Sequence, residues 1–402
     1  MKSYQIDGRM KDPEIIRAAV EKVCKSKRKK HGKPTGRYKK ARRILAQLDK
    51  YAARTLEIVL DTEAQSKAER DGETITPGTF PLAFEPAKVK TFVRRCECSG
   101  KVRTISCVPI YPDQIIHQLM VMTASPSLMR GMYQFSCGSI PKRGTHKGKK
   151  KIERYIGKCT KVDRSGIKYV AQLDIKKCYD NIAHKNLKDR LRKKFRGYLF
   201  LQFCELVISA YGKENESGEK IGLPIGLCTS PWFCNFTLTP IDFFLLQEKK
   251  VGCLVRYVDD MVFFGRNKKE LHQTVRDVME AVKSAGCTIK ENWQVYRFAY
   301  RHKASGEIRG RALDVLGFRF FRRKTIMRKR NALGISRAAR RIKKKKMVPV
   351  EQARSFMSKI GCLKHCDSKR FYEKNIKPFV NIKKLKEAIS YESRKQYRAC
   401  PV

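Results

Sequence analysis

A chain of 402 residues, 42% of them apolar, is long enough for two or three packed subdomains around sizeable cores, and this excludes general disorder. Its 90 Lys and Arg against 38 Asp and Glu leave a formal net charge of +52 spread from end to end, which implies a polyanionic partner held over a long track. A charge that serves only solubility, or a membrane surface, is the weaker reading: no run of about 20 apolar residues exists to span a bilayer, and the opening MKSYQIDGRMKD lacks the apolar core of a signal peptide, so a cytoplasmic protein is expected.

Residues 25–40, KSKRKKHGKPTGRYKK, form a basic run with Gly and Pro and read as an exposed, polyanion-contacting or flexible stretch. Leu45, Leu48, Ala52, Leu56 and Val59 then recur at three- and four-residue steps with Arg and Lys between them, which predicts an amphipathic helix. The segment DGETITPGTFP breaks that pattern and places a boundary near Phe84. From Lys88 to about Met327, short β-branched and aromatic strands alternate with helical stretches, the texture of an α+β core. From Arg328 onward the chain is basic with helical spacing and few strand signals. The expected division is therefore 1–85, a basic helical N-terminal extension; 86–327, the α+β core; and 328–402, a small helical domain. No internal repeat is visible. The 15 cysteines, an odd number scattered through apparent core segments, read as free thiols of a reducing compartment. Cys96 with Cys98 and Cys362 with Cys366 come nearest to metal spacing, but neither pair has histidines at finger-like distances.

The chemistry-bearing residues lie in the core. Residues 169–175, YVAQLDI, alternate as a strand, with Asp174 at its end before a break and the helical run Lys185 to Phe195. Some 85 residues on, the apolar arms of LVRYVDDMVFF, residues 254–264, meet at Asp259 and Asp260 and read as a hairpin. Carboxylates at a hairpin tip between hydrophobic arms do little for strand stability, so they point to function. Nucleotidyl transfer needs two divalent ions about 4 Å apart, one activating a 3′-hydroxyl and one bearing the triphosphate. Mg²⁺ takes oxygen ligands and keeps several waters, so two or three carboxylates suffice.

YVDD at residues 257–260 matches the [FY]xDD hallmark of reverse transcriptases, and DIKKCYDNIAH at 174–184 resembles motif A of the bacterial enzymes of the group II intron, retron and diversity-generating retroelement lineages. That resemblance implies a right-hand polymerase of fingers, palm and thumb, with residues 86–327 as fingers and palm and 328–402 as thumb. It implies Asp174, Asp259 and Asp260 as catalytic carboxylates, and Asp174, Ile175, Asp259 and Asp260 as the set holding two Mg²⁺ ions, for which Mn²⁺ can substitute. GKVRTISCVP, residues 100–109, resembles the basic fingers strand that grips the incoming triphosphate, which makes Arg103 and Lys101 the phosphate contacts. YQFSCGSIPKRGTHKGKK, 133–150, resembles the block whose glycines and cations let the backbone approach the template. GLPIGLCTSPWFCNFTL, 222–238, resembles motif B: a Gly-rich turn, a helix start at Ser230 and Pro231, and an apolar helix, with Gly226 letting the backbone lie against the nucleotide or template base. LDVLGFRFFRRKTIMRKR, 313–330, resembles the primer-gripping hairpin and the start of the thumb. Tyr179, five residues past Asp174, stands where the family places the ring that selects dNTPs over rNTPs, and Lys290 is a candidate acid for the pyrophosphate.

Most relatives carry Gln before the motif B glycine, whereas this chain has Ile225. An aliphatic residue there resembles the diversity-generating enzymes, which copy a template RNA into cDNA with low fidelity and use a small helical accessory protein; Pro231, where that group has Gln, is the departure. Intron maturases carry DNA-binding and endonuclease extensions for which 402 residues leave no room. Retron-type and antiphage defence-associated enzymes are the rivals. A reading of another class is an inactive RNA-binding scaffold, against which the intact Asp174, Asp259, Asp260 and Tyr179 argue.

Overall fold

The computed structural model of the chain describes residues 5–28, 34–95, 102–161, 167–302 and 304–398. The chain forms two compact units: one holds Met1–Gly144, Gln172–Val262 and His272–Trp293, the other Thr145–Ala171, Phe263–Leu271 and Gln294–Val402.

The first unit opens with four helices, α1 (Ile6–Lys11), α2 (Pro13–Lys25), α3 (Gly36–Ala46) and α4 (Leu48–Asp71). α2 starts where it does because the Asp12 carboxylate accepts the free N–H groups of Glu14 and Ile15, and Pro13 needs no such partner. It buries Ile16, Ala19, Val20, Val23 and Cys24, one stripe of the helix. The basic run is in part helical: α3 begins at Gly36 under a Thr35 cap.

The single amphipathic helix expected through Leu45 to Val59 is two helices, parted at Gln47, whose φ of −125° and ψ of 41° are not helical. The buried face is also turned from the expected one. Leu45, Leu48, Ala52 and Leu56 are only half-buried, while Thr55, Ile58, Val59, Thr62 and Ser66 are the buried residues. Threonines pass unnoticed in an apolar pattern, yet here each satisfies its hydroxyl within the helix: Thr55 donates to the Tyr51 carbonyl at 2.7 Å and Thr62 to that of Ile58 at 2.6 Å. α4 ends on Gly72 in the left-handed region, φ 77°. The proposed boundary residue Phe84 is buried, and its N–H donates to the Thr62 hydroxyl at 2.8 Å.

Next come the antiparallel pair β1 (Lys90–Arg95) and β2 (Val102–Cys107), mostly exposed, then α5 (Ile115–Gly131) and the short β3 (Ser136–Cys137). After α6 (Thr145–Lys161), which belongs to the second unit, the chain runs through β4 (Tyr169–Lys176), α7 (Cys178–Asn181), α8 (His184–Lys194) and α9 (Tyr198–Ser209). The paired β5 (Lys213–Glu214) and β6 (Lys220–Ile221) lead to α10 (Ser230–Thr237) and α11 (Thr239–Phe243). β7 (Leu254–Tyr257), β8 (Asp260–Gly265), α12 (Lys268–Lys283) and β9 (Thr288–Ile289) follow. In the sheet that carries the site, the order is β4-β8-β7-β3, with β9 on β4 in the register Ile175↔Ile289. β3 lies parallel to β7.

In the second unit, β10 (Gln294–Arg297), β11 (Tyr300–Arg301) and β12 (Ile308–Arg309) precede the antiparallel β13 (Leu313–Val315), β14 (Phe318–Phe320) and β15 (Thr325–Met327). Helices α13 (Lys329–Lys343), α14 (Val350–Ile360), α15 (Lys369–Asn375) and α16 (Ile382–Arg398) complete it. Ile335, Ala339, Ile342, Phe356 and Ile360 form its core with Met327, so the basic exterior of this region covers a real apolar interior. Among the described residues no helix is long and apolar enough to cross a membrane. Cys362 and Cys366 are free thiols, and Cys96 and Cys98 lie outside the described residues.

Candidate functional site

Asp174 lies two residues inside the end of β4 rather than at its end. The pleat buries Leu173 and Ile175 and turns Asp174 to the open face, where its side chain keeps 27% of its exposure. The N–H of Ile175 donates to the main-chain carbonyl of Asp259 at 3.2 Å, so the strand and the YVDD turn are joined by a direct backbone bond at the two carboxylates. Burial pushes the Asp259 carboxyl above the usual carboxylate range, the Asp174 charge adds in the same direction, and Lys290 opposes it. Lys290 follows β9, and its N–H donates to the Asp174 carbonyl at 2.8 Å. Its ammonium lies 2.5 Å from Asp174 Oδ2. The position expected to protonate pyrophosphate is thus an ion-pair partner of the first candidate carboxylate.

Asp174 Oδ1 is buried and has no partner in the protein. An acceptor left without a donor, beside a second carboxylate of like charge, suits a hard divalent cation that takes oxygen ligands. Asp174 and Asp259 are the residues that fit. Ile175, whose side chain is fully buried, has only its main-chain carbonyl to offer. Asp260 opens β8 and is exposed. Among the described residues no group of three or more His, Cys, Asp or Glu gathers at metal-holding spacing.

Tyr179 sits on α7. Its phenol is pushed up, chiefly by burial, with Cys234, Cys178 and Asp259 adding to the effect and Arg103 opposing it. Arg103 and Asp259 therefore share the electrostatic neighbourhood of this ring. Leu223 N–H donates to the Tyr179 carbonyl at 2.7 Å and Gly222 N–H to that of Ile182 at 2.9 Å, which ties α7 to the Gly-rich segment before α10. In the same segment the Ile225 carbonyl accepts the Ser106 N–H at 2.6 Å. Gly226 has a φ of +125°, and a Cβ there would lie 2.3 Å from the Ser106 carbonyl oxygen. The close approach that this glycine permits is thus to β2, three residues along the strand from Arg103. Arg103 is exposed and lies across from Arg94 in the strand pair. Lys101 lies outside the described residues.

In the block 133–150, Arg143 turns inward: it donates to the Tyr133 carbonyl at 3.1 Å and to that of Met129 at 2.9 Å, at the C-terminal end of α5. Three residues that sequence reasoning passed over converge on the YVDD turn, namely Arg256, Asp242 and Asn235, all fully buried. The available signal was a lone charge within the otherwise apolar arm LVRYV. A cavity of about 280 Å³ lined by Asn186, Arg190, Pro240, Phe244 and Ser284 includes none of the site residues.

Residues 88–319 match the family described as reverse transcriptase (RNA-dependent DNA polymerase). The group II intron-encoded protein LtrA of Lactococcus lactis subsp. cremoris is 26% identical over 193 residues, which is 48% of this chain and 31% of that protein. The same protein from strain MG1363 matches equally, so the chain spans about a third of the length of these curated relatives. Among solved structures, the telomerase of Candida tropicalis in complex with a TWJ fragment of telomeric RNA is similar at a TM-score of 0.48 and 13% identity, over 91% of this chain and 65% of that one. The corresponding Candida albicans complex gives 0.44 at 13% identity, over 79% and 61%.

Proposed function

This chain belongs to the reverse transcriptase (RNA-dependent DNA polymerase) family, and from that premise we propose that it copies a template RNA into cDNA by two-metal nucleotidyl transfer at Asp174 and Asp259. The observation that carries the proposal is the backbone bond from Ile175 to Asp259, which holds the two carboxylates side by side, with Asp174 Oδ1 buried and unpartnered. Two Mg²⁺ ions, or Mn²⁺ in their place, would supply activation of the primer hydroxyl and charge neutralisation on the triphosphate. Asp174, Asp259 and the Ile175 carbonyl would hold them, with Asp260 in support. Arg103, with Lys101, grips the triphosphate as a planar fork suited to phosphate oxygens. Tyr179 lies under the sugar and excludes a 2′-hydroxyl. Ile225 and Gly226 bound the nascent base pair, and Lys290, released from Asp174, is the proton source for pyrophosphate. Residues 1–85 form the basic extension, 86–327 fingers and palm, and 328–402 the thumb. Together they provide the cationic track for the template RNA and the cDNA.

Within the family, the aliphatic Ile225 in LPIGLCTS supports an error-prone enzyme of the diversity-generating kind, working with a small helical accessory protein. A retron-type or defence-associated enzyme is the alternative.

Primer extension on an RNA template tests the proposal. Asp174→Ala and Asp259→Ala should each abolish extension while RNA binding stays near wild type, because the basic track does not depend on the site. Extension within about tenfold of wild type, ~1.4 kcal/mol of barrier, in either variant would overturn the two-metal assignment. An inactive scaffold would show RNA binding with no extension in the wild type.

A further inference from the structure

We infer that Arg256 is a positioning residue of this site: its buried guanidinium holds Val258 in a left-handed backbone conformation and thereby sets Asp259 against Asp174. The inference rests on the reading of Asp174 and Asp259 as the working carboxylates.

Arg256 is the one charge in the arm LVRYV and has no solvent exposure. A guanidinium taken out of water is tolerated only when its donors are satisfied, and it has five N–H groups to satisfy. Nε donates to Asp242 Oδ1 and Nη2 to Asp242 Oδ2, both at 2.7 Å, as a planar fork. Nη2 also donates to the Ser136 hydroxyl at 3.1 Å, and Nη1 to Asn235 Oδ1 at 3.0 Å. With a longer bond from Nη2 to the Asn235 carbonyl at 3.4 Å, these contacts fasten the guanidinium to α10, α11 and β3. A further bond runs from Nη1 to the main-chain carbonyl of Val258, at 3.0 Å, inside the YVDD turn.

Val258 is what that bond restrains. Its φ is +57°, and a β-branched side chain in the left-handed region is a genuine outlier, strained by its Cβ substituents. Both of its backbone polar atoms are clamped: the N–H donates to the Cys137 carbonyl at 3.0 Å, and the C=O accepts from Arg256. Its Cγ2 fills the space where a Cβ on Gly138 would lie, 2.7 Å away, so Gly138 makes room for the strained residue. The next carbonyl along, that of Asp259, takes the Ile175 N–H. Backbone strain and a charge-assisted hydrogen bond are of similar size. Removing the bond therefore lets Val258 relax toward ordinary extended backbone, and the relaxation rotates the peptide that carries Asp259. A plain core fastening would account for the bonds to Asp242, Asn235 and Ser136, but not for a bond directed at the one strained residue of the turn.

A double-mutant cycle tests this. Arg256→Lys keeps a buried cation opposite Asp242 but cannot make the fork and reach Val258 together. It should lower kcat of primer extension about tenfold or more, ~1.4 kcal/mol, with KM for dNTP within about twofold. In a Val258→Gly background the same change should cost less than about threefold, because glycine holds a positive φ without strain. If Arg256→Lys slows the enzyme equally in both backgrounds, Arg256 is not acting through Val258 and the inference fails. Should Arg256→Lys not fold, the pair Arg256→Met with Asp242→Leu removes both charges and is compared across the same two backgrounds. Amide hydrogen exchange gives a readout independent of catalysis: the Ile175 and Val258 amides should exchange faster in Arg256→Lys, at least tenfold by the same relation. Unchanged exchange at Ile175 overturns the inference even in a chain with no polymerase activity, whereas an inactive wild type with the expected exchange change sinks only the functional reading.

Discussion

Alanine at Gly226 should cripple nucleotide use. At this position the Ile225 carbonyl takes the Ser106 N–H at 2.6 Å, and an added Cβ would stand 2.3 Å from the Ser106 carbonyl oxygen, at a φ of +125° that L side chains rarely adopt. Ordinary contact needs about an ångström more, and both neighbours are main chain, so the turn and β2 must part or the backbone must change region. Strain at such a φ is worth roughly 1–3 kcal/mol. Forced overpacking adds roughly 1–3 kcal/mol more. Even the lower end of the sum, ~2 kcal/mol, exceeds the ~1.4 kcal/mol that corresponds to tenfold in rate. Because β2 carries Arg103 and the turn carries Ile225, the displacement would separate the proposed triphosphate grip from the proposed base-pair boundary. Gly226→Ala should therefore lower kcat/KM for single-nucleotide extension by tenfold or more, mainly through KM, with only a modest fall in Tm. A kcat/KM within about twofold of wild type, ~0.4 kcal/mol, together with an unchanged Tm, would refute the contact between the turn and β2 as a determinant of nucleotide binding.

Asp259 offers a test with a pH sign. Its carboxyl is raised by burial and by Asp174, and a carboxyl raised on folding begins to cost stability as pH climbs past its unfolded value and costs it in full above its folded one. In chelator-treated protein Asp259→Asn should therefore raise Tm at pH 7, lose that advantage below about pH 4 and abolish extension; a lower Tm at pH 7 contradicts this. Tyr179→Ala should admit rNTPs, measured as the ratio of rNTP to dNTP incorporation, and an unchanged ratio in an active variant places the gate elsewhere. Ile225→Gln should reduce misincorporation at template adenines, each ~1.4 kcal/mol regained in discrimination lowering errors about tenfold; an error rate equal to wild type removes the support for the diversity-generating reading. RNA affinity should fall steeply between about 50 and 200 mM salt, as phosphate-dominated binding requires, and a flat profile would show that the net charge is not a nucleic-acid track.

Much of the site was legible because it is written locally. Asp174 and the Asp259–Asp260 pair stand out as carboxylates on otherwise apolar strands, and the Gly-rich turn before Ser230 and Pro231 announces a helix start that α10 adopts. The break at Gln47 and the buried threonines of α4 were not legible, since periodicity counts apolar side chains and misses hydroxyls satisfied within their own helix. Lys290 is a further case: its number and type were visible, but its ion pair with Asp174 depends on β9 pairing with β4 in the register Ile175↔Ile289.

By itself, then, the sequence determined the α+β order of elements, the basic exterior and the identity of the carboxylates, because each depends on residue type and short spacing along one segment. Tertiary structure alone decided that Gly226 makes room for Ser106 rather than only for a ligand. It alone decided that Arg256 bridges Asp242, Asn235 and Val258. These are bonds between segments up to more than a hundred residues apart, such as Ser106 to Ile225. No local pattern encodes such a pair, because the partner of a buried donor is whichever acceptor the packing of other elements delivers to it.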